Sequence, residues 1–103
     1  MRDFRILTEV AGDIADAANW YDREGYEGLG DRFTATFYAY VDHVRQNGEI
    51  YRPVYSEFRR LLLRPFSYVL YFRFHEEIVI VSLVAHVARD PRRVRRMLRE
   101  RGA

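Results

Sequence analysis

Two neighbouring segments of the chain are apolar without alternation. Ile78-Val79-Ile80-Val81-Ser82-Leu83-Val84-Ala85 holds one polar residue in eight, and Tyr68-Val69-Leu70-Tyr71-Phe72 holds none beyond its phenols. Both are strand-length and rich in β-branched and aromatic residues, and His75-Glu76-Glu77 between them makes a turn, so they read as antiparallel neighbours. A strand with one wet face alternates apolar and polar residues. These do not. Both faces of the sheet they build therefore need cover, which excludes a simple two-layer fold unless something else docks.

The remainder of the chain supplies one layer of that cover. Phe4-Arg5-Ile6-Leu7 reads as a short strand, with Thr8 placed to cap a following helix. From Glu9 to Glu24, Val10, Ile14, Ala17, Ala18 and Tyr21 recur at three- and four-residue steps, and Gly25 stops the run. After Gly25-Tyr26-Glu27-Gly28, a second amphipathic helix carries Leu29, Phe33, Phe37, Tyr40, Val41 and Val44 on one face and ends at Asn47-Gly48. So short a loop makes the two helices an antiparallel hairpin. Past Pro53, Phe58 to Leu63 reads as the first strand of a meander that bends at Arg64-Pro65-Phe66 and continues through Tyr68 to Phe74 and Ile78 to Ala85. Asp90-Pro91 opens a last helix, Arg92 to Arg99. The order is β-α-α-β-β-β-α. It predicts an α+β fold, a single domain over 1–103, with the hairpin packed on one face of a small antiparallel sheet through Ile14, Tyr21, Phe33, Phe37, Tyr40 and Val44. The last helix offers only Val94, Met97 and Leu98 as apolar groups. Cover for the second face is therefore expected from a second copy or a partner chain.

Charge is divided along the chain. Residues 1–50 hold five Arg against ten acids, and residues 51–103 hold twelve Arg against five acids, so a front half at −5 precedes a back half at +7. From His86 onward there are seven Arg against Asp90 and Glu100. Every basic residue is Arg, which excludes a lysine base or Schiff-base chemistry and favours bidentate grip on phosphate or carboxylate. The absence of cysteine excludes disulfide scaffolds, thiolate metal sites and cysteine nucleophiles. No apolar run approaches membrane length, and MRDFRILTEV lacks the pattern of a signal peptide. A cytoplasmic protein without membrane association is the expectation.

Few residues offer chemistry. His43, His75 and His86 lack metal-site spacing, so no metal and no cofactor is expected. Gly25, Gly28 and Gly30 lie between two helices, not between strand and helix, so they do not form a phosphate-cradling loop. Glu57, Glu76 and Glu77 fall at strand edges or turns. What remains is Arg59, Arg60, Arg64, Tyr68, Tyr71, Arg73, His86 and Arg89 on or beside the strands. They fit a basic face with interleaved aromatics. They equally fit solvated edge-strand arginines and core tyrosines with wet hydroxyls. His86, at a strand end beside Arg89, suits a general acid or base, or an anchor for the turn that follows.

Several motifs in sequence resemble one family: Ala15-x-x-Ala18-x-x-Tyr21, Gly28-Leu29-Gly30-x-x-Phe33, Phe58-Arg59-Arg60, Arg64-Pro65-Phe66-Ser67-Tyr68 and His86-Val87-Ala88-Arg89-Asp90-Pro91. Together they resemble the RelE/ParE superfamily of toxins from bacterial type II toxin–antitoxin modules. The resemblance runs over nearly the whole chain, although the proline of the fourth motif is displaced. It implies a partner, a cognate antitoxin whose acidic segment folds onto the toxin's sheet, in a hetero-oligomer or alongside a toxin homodimer. It also implies one of two activities. ParE-like members poison DNA gyrase and would use a surface, here Arg59, Arg60, Arg64, Tyr71, Arg73, Arg89, Arg92, Arg93 and Arg96 for target or antitoxin. RelE-like members are metal-independent endonucleases that cut mRNA on the ribosome, for which Arg60, Arg64, Tyr68, His86 and Arg89 are the candidates. The long hairpin, and the absence of lysines on the second strand, resemble ParE more than RelE. A degenerate toxin that only binds its antitoxin is a third outcome.

Overall fold

A computed structural model describes residues 1–102. The elements are β1 (Asp3–Ile6), α1 (Thr8–Glu24), α2 (Leu29–Asn47), a single 3-10 turn (Gly48–Ile50), β2 (Pro53–Tyr55), β3 (Phe58–Leu62), β4 (Tyr68–His75), β5 (Ile78–His86) and α3 (Pro91–Arg101). The strands form one sheet in the order β1-β5-β4-β3-β2. The class is the α+β arrangement expected, with two differences. The sheet is mixed, because β1 runs parallel to β5, with Phe4 opposite Val79 and Ile6 opposite Val81. The whole hairpin lies between β1 and the meander, so the chain has room to cross over before it returns. The second difference is β2, an additional edge strand. Three residues are too few to show a period, and Pro53 at its start suits an edge, where no ladder donor is needed.

Thr8 does not cap α1. The sheet feeds the helix directly: the Leu7 N–H donates to Val81 O at 3.1 Å, Leu7 takes the N-cap position, and its carbonyl accepts from Val10 N–H at 2.9 Å. At the other end the Gly25 N–H donates to Tyr21 O at 2.8 Å. Gly28 then enters α2 with φ +96°, a conformation that disfavours any side chain. Two residues on, a Cβ at Gly30 would stand 2.4 Å from the Ala18 carbonyl oxygen, so the helices touch backbone to backbone there. The Gly30 N–H donates to the Asp22 carboxylate at 2.8 Å, satisfying one of the open donors of the α2 N-terminus.

The hairpin buries the face expected of it. Phe33, Phe37 and Val44 are fully buried with Val10 and Val41 against Leu70, Phe72, Val79 and Val81, and Ile14, Tyr21 and Tyr40 pack at the margin.

The second face is where the sequence reading needs correction. α3 covers part of it, where the sequence reading looked to a second copy or a partner chain. Val94 and Leu98 are buried, with Met97 alongside, against Phe58, Val69, Tyr71, Leu83 and Ala85. Three apolar groups of α3 meet a strip of five buried sheet residues, two from β4, two from β5 and Phe58 of β3. Partner opposition shifts at β5, where Leu83 faces Tyr71 but Val81 faces Phe72. Ser82 falls in that bulge, unpaired with β4 and fully buried, which is why the only polar residue of the segment breaks no alternation.

Candidate functional site

Beside α3 the second face is not closed, and the gap is a groove of about 130 Å³. β2 contributes Val54 and Tyr55, β3 contributes Arg60, and β4 contributes Tyr71, which stands directly opposite Arg60. The β5–α3 turn adds Val87 and Arg89, and α3 adds Pro91, Val94, Arg95 and Leu98. The floor is apolar. Val54 and Val87 stand half exposed at the rim, while Tyr71 is almost completely buried. Three guanidinium groups, Arg60, Arg89 and Arg95, surround that floor. Such a groove suits a segment that offers an apolar anchor flanked by carboxylates or phosphates.

The turn that carries Val87 and Arg89 is firmly held. The Val87 N–H donates to Ser67 O at 2.9 Å and the Arg89 N–H to His86 O at 3.0 Å. The Asp90 carboxylate caps α3 by accepting from Arg92 N–H at 2.9 Å, with Pro91 in the first turn. His86 belongs to this bracing: its Nδ1 accepts from the Ala88 N–H at 3.0 Å. An acceptor Nδ1 carries no proton, which leaves Nε2 as the ring's only proton-bearing nitrogen. Of the two roles open to His86, the turn anchor is the one its contacts display.

Tyr68 lies opposite His86, ring against ring at 5.3 Å, but on the hairpin side of the sheet, with Phe33 at 5.4 Å and Tyr21 at 5.9 Å. Burial pushes its phenol pKa up, Tyr21 and Asp16 add to the rise, and Arg89 opposes it. A phenol held protonated in this way is a poor base at neutral pH.

The other candidates are spread out. Arg59 is structural: its Nη1 donates to Tyr51 O at 2.7 Å, and its guanidinium lies 5.0 Å from the Phe74 ring centre, tying the 3-10 turn to the sheet. Its strand β3 is not an edge, because β2 covers it. Arg73, two residues beyond Tyr71 on β4, pairs with Glu57 at 3.3 Å and lines a separate cleft with Arg5, His75 and Arg101. Arg64 is exposed in the β3–β4 turn, where the Arg64–Pro65 bond is cis. Arg92, Arg93 and Arg96 gather on the outer side of α3 with Asp90. The structure therefore unites Arg60, Tyr71 and Arg89 in one groove, places Tyr68 and His86 together on the hairpin side with Arg89 near enough to act on the Tyr68 phenol, and separates the rest. Sequence reading missed Val54, Tyr55, Val87 and Arg95. Only Arg95 carried a visible signal, as one of the basic positions of α3. Among the described residues, no group of three or more His, Asp or Glu side chains is placed to hold a metal ion. None of the described helices is long and apolar enough to cross a membrane.

The long hairpin, the sheet and the basic last helix agree with the fold implied by the RelE/ParE resemblance. No protein-family model matches the chain. Over 93 residues it is 23% identical to Toxin ParE2 of Mycobacterium tuberculosis, the same in two strains, covering 90% of this chain and 89% of that protein. The chain is thus similar, over nearly its full length, to a ParE-type toxin, as its motifs indicated.

Proposed function

We propose that this chain is the toxin of a type II toxin–antitoxin module, ParE-like in action, which arrests growth by poisoning DNA gyrase and is silenced by a cognate antitoxin. The similarity to Toxin ParE2 across nine-tenths of both chains is the observation that carries the reading. The groove beside α3 is the antitoxin's seat in this proposal. An acidic segment with one apolar anchor would place the anchor over Tyr71 and Leu98 and its carboxylates on Arg60, Arg89 and Arg95.

The placement of the candidate nuclease residues favours the poison over the nuclease. Cleavage through the 2′-hydroxyl needs proton-moving groups and charge-stabilising groups around one phosphate. Here Tyr68, His86 and Arg89 lie near one another, but Arg60 points to the opposite, α3 face and Arg64 lies in a separate turn, so the set does not surround one phosphate. Poisoning a protein target needs a shaped surface and no proton transfer.

The test is induction of the chain in a bacterial host, with primer extension on transcripts and recovery of gyrase–DNA cleavage complexes. Intact transcripts with accumulated cleavage complexes are the expected result. Codon-spaced cuts in messages would overturn it in favour of a RelE-like ribosome-dependent mRNA endonuclease. A culture that keeps growing would mark a degenerate toxin that retains only antitoxin binding.

A further inference from the structure

The outer side of α3 has a chemistry distinct from the groove. Helical spacing puts Arg92, Arg96 and Arg99 in one row about 10 Å long, with Arg93 on its outer flank and Arg95, which also lines the groove, on the other. All five are exposed. Arg92 has a loose contact with Asp90 at 3.6 Å, and Arg99 donates to the Tyr55 hydroxyl at 3.2 Å. Arg93, Arg95 and Arg96 have no carboxylate partner among the described residues. The cleft formed by Arg92, Arg93 and Arg96 is bordered otherwise only by Asp90, with no apolar or aromatic side chain.

From this we infer that the arginine row of α3 binds the phosphate backbone of duplex DNA, without reading sequence. A protein partner would demand apolar anchors at the centre of its footprint, and the cleft of Arg92, Arg93 and Arg96 offers none. Single-stranded nucleic acid would demand aromatic platforms for stacking, and none lines the cleft of Arg92, Arg93 and Arg96. An arginine-edged helix fits the wide major groove of B-form DNA, whereas the deep, narrow major groove of duplex RNA excludes it. The charge layout aids the approach. α1, on the opposite sheet face, carries Glu9, Asp13, Asp16, Asp22 and Glu24 against the single Arg23, so the molecule is polarised with α3 as its positive end. The inference stands on the exposed row alone and does not depend on the toxin reading.

The experiment is fluorescence anisotropy of a labelled random-sequence duplex of about 20 base pairs with the full chain, repeated across salt concentrations. With about four phosphates neutralised, log K falls against log salt with a slope near −3.6, roughly a hundredfold loss between about 50 and 200 mM. The double variant Arg93→Gln/Arg96→Gln lowers that slope by about 2. Arg32→Gln, a remote exposed arginine on α2, leaves it unchanged. If the double variant loses its fold, the single variants each lower the slope by about 1. Absence of salt-dependent binding, or a slope indifferent to these arginines, overturns the inference. So does tighter binding of a poly-glutamate peptide or of duplex RNA at the same row, since each would identify a different partner.

Discussion

Arg101, in the last turn of α3, grips Asp13 of α1 with both arms, Nη1 to Oδ2 at 2.6 Å and Nη2 to Oδ1 at 2.9 Å. The pair straddles the edge of β5 at the point where β1 has ended, since the last β1 residue, Ile6, is opposite Val81. Beyond it, Ser82 O and Val84 N–H would be open edge groups. Arg101 donates to the former at 3.2 Å and Asp13 accepts from the latter at 3.0 Å. The pair thus joins the two layers that cover the sheet and closes a stretch of its edge. Its hydrogen bonds with Asp13 are the first cause that holds the Arg101 guanidinium still more firmly charged.

Both side chains of the pair are about one-eighth exposed, so removal of one leaves the other charged and poorly solvated. Arg101→Ala and Asp13→Ala are each expected to cost about 3–5 kcal/mol in urea unfolding, with a coupling energy of at least about 1 kcal/mol in the double-mutant cycle. Additive effects would show that the pair does not act as a unit.

Leu98 is fully buried against the second sheet face. Leu98→Ala should cost about 2–5 kcal/mol and loosen α3. Light scattering and binding of a dye for apolar surface report the consequence: the variant should bind more dye and self-associate more strongly than the parent chain. A parent chain that already binds the dye strongly would restore the partner-covered sheet expected from the sequence.

Gly30 has no room for a side chain against the Ala18 carbonyl. Gly30→Ala must push α1 from α2 and strain the Asp22 bond, and is expected to destabilise by about 1–3 kcal/mol despite the higher helix propensity of Ala. Gly12, which has open space around it, is the control, and Gly12→Ala should stabilise α1. Equal shifts in melting temperature for the two would show that no close approach exists.

These sites show what could be read in advance. The hairpin face was legible because Phe33, Phe37, Tyr40 and Val44 repeat on a helical period, and the need for cover on both sheet faces was legible because residues 78–85 do not alternate. What covered the second face was not. α3 has two buried apolar groups in eleven residues, and its attachment depends on Asp13, a residue 88 positions away that is indistinguishable by pattern from the solvated acids of α1. The groove was half legible: Arg60, Tyr71 and Arg89 stood out by type, but Val54 and Tyr55 belong to a strand of three residues with no period to detect.

The Tyr68 phenol gives a pH signature. Its pKa is raised in the folded state above the ordinary value near 10, chiefly by burial. A raised acid favours the protonated form on folding, so its contribution is present below the unfolded pKa and lost as pH rises through the folded one. Stability should therefore fall above about pH 10. Tyr68→Phe should flatten that fall while leaving the melting temperature at neutral pH little changed. An alkaline limb unaltered by the substitution would assign the loss to another group, such as Tyr51, whose phenol is raised mainly by burial as well.

Arg60 and the Tyr68–His86 pair lie on different faces of the sheet, with Arg89 at the turn between them, so substitutions at Arg60 and His86 can separate antitoxin capture from toxicity. In the groove, a guanidinium that meets a carboxylate contributes about 1.5–3 kcal/mol. Arg60→Ala and Arg89→Ala should then each weaken the complex with a cognate acidic antitoxin by about ten- to a hundredfold, read by calorimetry. His86→Gln sits outside the groove and alters the brace on Ala88 N–H and the ring contact with Tyr68. It should leave antitoxin affinity within a few-fold and growth arrest intact under the gyrase reading. A nuclease that relied on His86 as its acid or base would instead lose about 10²–10⁴ in cleavage, and arrest with it. Arrest abolished by His86→Gln in a chain that still melts normally and still binds its antitoxin would therefore reject the gyrase reading. Arrest preserved in that variant, with antitoxin capture lost in the two arginine variants, would assign the groove to neutralisation and leave the poison to another surface.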